Sequence, residues 1–289
     1  MSIANFVPTV WAEGIERELE RACVFAEDCN CQYEGDVKKQ GDSVRILGVG
    51  RPTITTITKQ EKNGLKIGDP EAIPTSAITM YINQLSWFNY GIDDIDKAQA
   101  SGDIMGAFKA ETTEALANEV DKHIAAQVAD STVPKLFASA MKVVSGKAAA
   151  STEMNVLDIL DLAIQKLQEN DIADSTPIVV TVSPRFYRVL KKDWRETDTD
   201  NTGVLKHGKV GMYGNVTIKR SNNVYKTEGG AVDNIMIRTK RAVAYAQPLT
   251  ETKAYEPEQS FGDAVKGFIL YQAKVVRPKE IFNINVKYA

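Results

Sequence analysis

Only two histidines occur in these 289 residues, His123 and His207, so a Ser-His-Asp or Cys-His site must use one of them as its base. No serine sits in a Gly-x-Ser-x-Gly elbow beside them. His123 follows Lys122 on the polar side of a long helical stretch and is expected to be exposed. His207 lies in Lys206-His-Gly-Lys209, which reads as a solvated turn. Cys23, Cys29 and Cys31 form Cys-x5-Cys-x-Cys, a spacing that fits neither a zinc knuckle nor a redox pair. They are read as reduced, unliganded thiols. Gly208-Lys-Val-Gly-Met-Tyr-Gly214 places three glycines at spacing three, but strand-like residues follow instead of a helix. Phosphate cradling needs backbone donors at a helix N-terminus, so a tight turn between strands is expected there. The acidic groups Asp93-Asp-Ile-Asp96 and Asp198-Thr-Asp200 lack the glycine and distal glutamate of a calcium loop. Nothing assembles into a catalytic constellation. The expectation is a chain that is not an enzyme, with no catalytic residue, metal or cofactor; the rival is a soluble enzyme with an unrecognised carboxylate site.

Bulk properties are those of an ordinary globular chain: 43% hydrophobic, 25% charged, with ample residues for a core. No run approaches the ~18 apolar residues of a membrane span. The start, Met-Ser-Ile-Ala-Asn-Phe-Val-Pro8, lacks the basic and apolar parts of a signal peptide, so a cytoplasmic place of assembly is expected. The net charge of −3 conceals an asymmetry, because residues 201–289 carry 14 basic against 7 acidic side chains. A weakly basic face of this kind suits a polyanion such as DNA by non-specific contact.

The elements follow from periodicity. Residues 9–31 read as an amphipathic helix with Trp11, Ile15, Leu19, Ala22 and Phe25 on one stripe. Two long extended segments come next, Gly41–Thr58 and Ala77–Tyr90, rich in Thr, Ile, Val and aromatics. Eighteen extended residues reach roughly 60 Å, far more than a globule of this length can bury. They should form an arm with a polar tip at 59–70 and a bend or bulge near Gly48, Gly50 and Pro52. From Asp93 to Ala129 the period turns helical, with Ile104, Phe108, Leu116, Val120, Ile124 and Val128 on one stripe widened by Met105, Ala115 and Ala117.

Residues 131–152 read as a loop or short hairpin, and Asn155 as the cap of a second helix running to about Asn170. Pro177–Ser183 reads as a buried strand, Ser183-Pro184 as the start of a helix to Leu190, and 194–203 as a polar loop. Strands are expected at 215–220, 233–245 and within 261–278, and a period-two strand at Ile281–Lys287.

This order of elements resembles the major capsid proteins of tailed bacteriophages. The residues that carry the likeness are Ala4-Asn-Phe-Val-Pro8, Tyr33-Glu-Gly35, Gly41-Asp-Ser-Val44, Ser183-Pro-Arg-Phe-Tyr187, Gly208–Gly214, Arg220-Ser-Asn-Asn223, Phe261-Gly-Asp263 and Lys266-Gly267. They look most like the coat-protein family of short-tailed Salmonella phages. The resemblance implies an α+β tailed-phage/herpesvirus major capsid protein fold. Its parts would be an N-terminal arm at 1–33, an extended loop and peripheral-domain strand at 34–90, and a spine helix with peripheral domain at 91–149. An axial domain would follow at 150–245 and return strands at 246–289.

It further implies a structural protein that self-assembles through pentamers and hexamers into a procapsid and then a virion shell around double-stranded DNA. A separate scaffolding protein and a portal protein would be partners. Trp11, Arg51, Ile54, Ile57, Lys62, Asn63 and Trp87 are the expected assembly-interface residues. The same-fold alternative is an encapsulin-like bacterial compartment shell.

Overall fold

Among the described residues, thirteen strands in three sheets and three helices position every surface considered below. The computed structural model describes residues 23–32, 43–49, 54, 75–93, 104–173, 175–196, 209–213, 215–255 and 262–288. Strand β1 (Ser43–Val49) pairs antiparallel with β2 (Thr75–Tyr81) in an unbroken register from Ser43↔Tyr81 to Val49↔Thr75. No bulge forms at Gly48; the expected bend at Gly50 and Pro52 and the tip at 59–70 lie outside the described residues.

The second extended segment is not one strand. It breaks at Ile82-Asn83, and β3 (Gln84–Asp93) joins a different sheet. Met80 and Ile82, on either side of exposed Tyr81, are both wholly buried at the base of the arm.

Helix α1 (Ile104–Ala126) continues as a 3-10 turn to Ala129, and at ~1.5 Å per residue it is roughly 35 Å long. Its buried stripe includes Leu116, Val120, Ile124 and Val128 as the spacing predicts, with Ala117 widening it. Ala115 does not, because it lies about 100° around the axis from Leu116 and is exposed. Phe108 is 41% exposed, its ring stacked on Tyr90 at a centroid distance of 5.4 Å. His123 corrects the expectation of exposure. It is half-buried, with Nε2 3.0 Å from Gln272 Oε1 and its ring edge-on to Tyr271, because strand β12 (Gly262–Val275) packs across that side of the helix.

The large sheet runs β5-β4-β13-β10-β6-β8-β7, with β9 (Tyr225–Thr227) also on β10. Residues 131–152 are not a plain loop: β4 (Met141–Val144) lies parallel to both β13 (Ile281–Lys287) and β5 (Glu153–Asn155). Val133 and Phe137 are buried just before it. That segment covers β13, so its polar residues are not on a solvent face. Asn283 and Asn285 are buried, Asn283 Nδ2 donating to Asn234 Oδ1 at 3.1 Å and Asn285 Oδ1 accepting from the Phe137 N–H at 3.3 Å.

Helix α2 (Val156–Gln168) starts where Asn155 caps it, the side chain accepting from the Leu157 N–H at 2.7 Å. Every residue of β6 (Ile178–Val182) is buried, between β10 (Val232–Thr239) and the parallel β8 (Val216–Arg220). Pro184 opens α3 (Pro184–Glu196), which runs past Leu190 and replaces the first residues of the expected 194–203 loop. The glycine-rich stretch is itself a strand, β7 (Lys209–Tyr213), with a register shift between Lys209 and Gly211. The segment expected as one strand at 233–245 turns at 240–242, where the Ala242 N–H donates to Thr239 O at 3.2 Å. It continues as β11 (Val243–Tyr255) in a three-stranded antiparallel sheet, β11-β12-β3.

Candidate assembly surfaces and their anchors

Two segments are fixed beside β11. On one face, Val44 and Ile46 of β1, Met80 and Ile82 pack against Ala244, Ala246 and Leu270. Lys274 Nζ adds a bond of 2.8 Å to Thr79 O. Alternation along the arm then leaves Arg45 and Tyr81 outward, Tyr81 being 62% exposed. Ile54, beyond the paired strands, is 86% exposed.

The segment 23–30 meets β11 at its edge, through Asn30. An amphipathic helix to residue 31 is expected there, and its first part, with Trp11, falls outside the described residues. The described part is no α-helix: a 3-10 turn at Ala26–Asp28 ends in an extended Cys29. The reason is capture of its backbone by buried charge. Asp121 of α1 accepts from the Val24 and Phe25 N–H groups at 2.9 and 3.0 Å, and Arg238 Nη2 donates to Phe25 O at 2.7 Å. Lys219, 1% exposed, holds Glu27 and Asp28 at 2.6 Å each.

Burial pushes Asp121 up to about 6 although the backbone donors and Arg238 oppose the shift. The Asn30 N–H then bonds Val243 O at 2.9 Å, and the Tyr245 N–H bonds Asn30 O at 3.0 Å, so the chain leaves along the edge of β11. Cys23 and Cys29 are buried in the same cluster and burial raises both thiols. Sequence reading missed this anchor. Its signals were charges in apolar runs: Asp121 after Val120, Arg238 after Ile-Met-Ile, and Lys219 after Val-Thr-Ile.

The outward face of the three-stranded sheet carries an apolar patch next to the arm base. Register places Trp87 opposite Phe268 and Leu85 opposite Leu270. Trp87 is 70% and Leu85 40% exposed, over a hollow of about 300 Å³. Lys253, Lys266 and Glu251 line its polar sides. Gly267 is required beneath it: a Cβ there would meet the Phe88 ring at 2.6 Å and Glu251 O at 2.8 Å.

Of the expected interface residues, Ile54 and Trp87 are exposed on the arm and on the sheet respectively. Arg51, Ile57, Lys62 and Asn63 lie outside the described residues, as do His207 and Asp198–Asp200. Among the described residues no group of three or more His, Cys, Asp or Glu side chains is placed to hold a metal, and no helix is long and apolar enough to cross a membrane.

No protein-family model and no curated protein sequence matches the chain. Solved structures do. One from Mycobacterium phage Che8 is 26% identical, with 90% of each chain covered and a TM-score of 0.64. The capsid structure of the cyanophage P-SCSP1u is 16% identical over 92% of this chain and 88% of that one, with a TM-score of 0.66. The virus-like particle from Pyrococcus furiosus is 10% identical over 95% and 96%, with a TM-score of 0.54. The fold of this chain is the α+β fold of tailed-phage major capsid proteins.

Proposed function

We propose that this protein is the structural subunit of an icosahedral phage head, self-assembling into the shell that encloses double-stranded DNA. The observation that carries the reading is end-to-end likeness: nine-tenths of this chain aligns with nine-tenths of the Che8 chain, so the whole molecule is accounted for by one plan. An arm whose described outward residues, Arg45, Tyr81 and Ile54, are exposed fits that plan. The mechanism is mechanical. The β1–β2 arm of one subunit lies on the body of the next, adding apolar burial at Trp87 and backbone hydrogen bonds. Modest contacts repeated around closed axes then give a stable shell.

The parts are assigned accordingly: arm at 1–33, extended loop at 34–90, spine at 91–149, axial domain at 150–245 and peripheral return strands at 246–289. A scaffolding protein, a portal and packaged DNA are the partners, and the virion is the destination after assembly in the host cytoplasm. The order of the short motifs supports kinship with the coat proteins of short-tailed Salmonella phages. The second reading, an encapsulin-like compartment shell, draws support from the likeness to the Pyrococcus virus-like particle, at a lower TM-score.

Electron microscopy of the expressed protein tests the proposal. Closed shells, tubes or capsomer rings are expected; an isolated monomer at high concentration overturns it. Shells that load a cargo enzyme through a peptide tag, with no portal, would transfer the protein to the second reading.

A further inference from the structure

A cleft of about 540 Å³ opens where three backbone segments meet: the turn between β10 and β11, the turn after β12, and residues 29–32. Its walls are stitched together by main-chain bonds. The Val276 and Arg277 N–H groups both donate to Ala242 O, at 2.9 and 3.2 Å. Asn30 is held on both sides by β11, and its side chain accepts from the Gln32 N–H at 3.1 Å. The cleft is therefore a preformed shape, within the size range of small-ligand sites.

Its charge is unbalanced. Lys240, Arg241 and Arg277 line it, and one carboxylate, Glu280, stands against them. Glu280 lies between the two guanidiniums, 2.9 Å from Arg277 Nη1 and 3.5 Å from Arg241 Nε, with Thr239 Oγ1 donating to it. Each arginine meets it through a single nitrogen and keeps the rest of its donors, and each side chain is about half exposed. Lys240 makes no ion pair or hydrogen bond among the described residues. Among the described residues, three cations against one anion leave two positive charges with free donors around one concavity. A phosphodiester presents two non-bridging oxygens that an arginine fork takes as a pair, and successive phosphates along a backbone match the remaining cation.

We propose that this cleft binds phosphate groups, and that its occupant in the cell is the backbone of nucleic acid enclosed by the shell. The identity of the occupant rests on the shell reading; the phosphate chemistry does not.

The test uses the full chain and a short fluorescein-labelled DNA duplex of mixed sequence, followed by anisotropy across a salt series. Lys240→Glu reverses the charge of a side chain that makes no ion pair or hydrogen bond among the described residues; the triple Lys240→Ala, Arg241→Ala, Arg277→Ala empties the cleft. Lys122→Ala with Lys166→Ala removes exposed charge from α1 and α2 as a control. The triple should weaken binding about tenfold or more and flatten the salt dependence by about one unit of slope per lost phosphate contact, the control about twofold or less. Equal losses in triple and control overturn the site, since net charge alone would explain them. Inorganic phosphate that binds the cleft while duplex affinity ignores the triple overturns the nucleic-acid occupant. Microscopy of the same samples separates the two readings. Absent wild-type shells with duplex binding still mapped to the cleft would remove the shell reading and leave the site.

Discussion

Two segments are fixed beside β11, the arm base over one face and residues 23–30 at its edge, and they are held by different physics. The arm base is held by side-chain burial: Val44, Ile46, Met80 and Ile82 on Ala244, Ala246 and Leu270. Such packing is non-directional and tolerates sliding and tilt. Residues 23–30 are held by directed bonds to buried charges, Asp121, Arg238 and Lys219, which fix each backbone group to one partner. The difference suits their positions. A segment that must reach subunits in unlike surroundings gains from a compliant base, and a chain that must leave the body at one place gains from a rigid exit.

The largest effect should come from the charged anchor. Arg238→Ala leaves Phe25 O without its donor and the Asp121 carboxylate without its cation in a site 1% exposed. Breaking a buried charged pair of this kind costs about 3–5 kcal/mol. Urea denaturation should show the midpoint falling by that equivalent with the slope unchanged; a loss under about 1 kcal/mol would mean the anchor carries little. Next comes the apolar anchor. Met80→Ala empties a wholly buried site, and about 2–4 kcal/mol is expected. Because the base is a separate cluster, the loss should be local. Hydrogen exchange should speed up in β1 and β2 while β6 and β10 keep their protection.

A third effect separates the two anchors by pH. Asp121 is raised from its ordinary 3.8 to about 6 in the fold by burial, so the folded chain holds this proton more tightly than the unfolded one. Its contribution is fully favourable below the unfolded value, is lost as pH rises through the folded one, and is constant above. The wild type should carry a falling component of stability between about pH 4 and pH 6 that Asp121→Asn lacks. Met80→Ala should keep that component. Its loss there would mean the two anchors are coupled through β11.

How legible each region was follows from the same contrast. The arm could be read because alternation in 43–49 and 75–81 and turn-breaking residues beyond them are local signals. The cap at Asn155, the buried β6 and the stripe of α1 were local too. The charged anchor is made by residues about 100 to 200 positions apart, and periodicity is blind to such pairs; a lone Asp or Arg in an apolar run reads as a blemish. The period of two in 281–287 likewise carries no sign that Asn283 and Asn285 are buried beneath 133–137. Local amphipathicity also favoured a helix through residue 31, and tertiary hydrogen bonds overrode it at Val24 and Phe25.

Trp87 offers the smallest effect on the fold and the sharpest use of the comparison. Its side chain is 70% exposed and supports nothing beneath it, since Phe88 shields Gly267 on its own. Trp87→Ser should therefore change monomer stability by less than about 0.5 kcal/mol, as surface substitutions do. An indole at the centre of a desolvated contact is worth about 2 kcal/mol or more, and a shell repeats that contact at every subunit. Sedimentation should show shells replaced by free subunits or small capsomers at unchanged melting temperature, whereas Met80→Ala should lower both together. If Trp87→Ser assembles as well as the wild type, the patch is not where the neighbour's arm lies. The compliant base of the arm would then have to direct it elsewhere on the body.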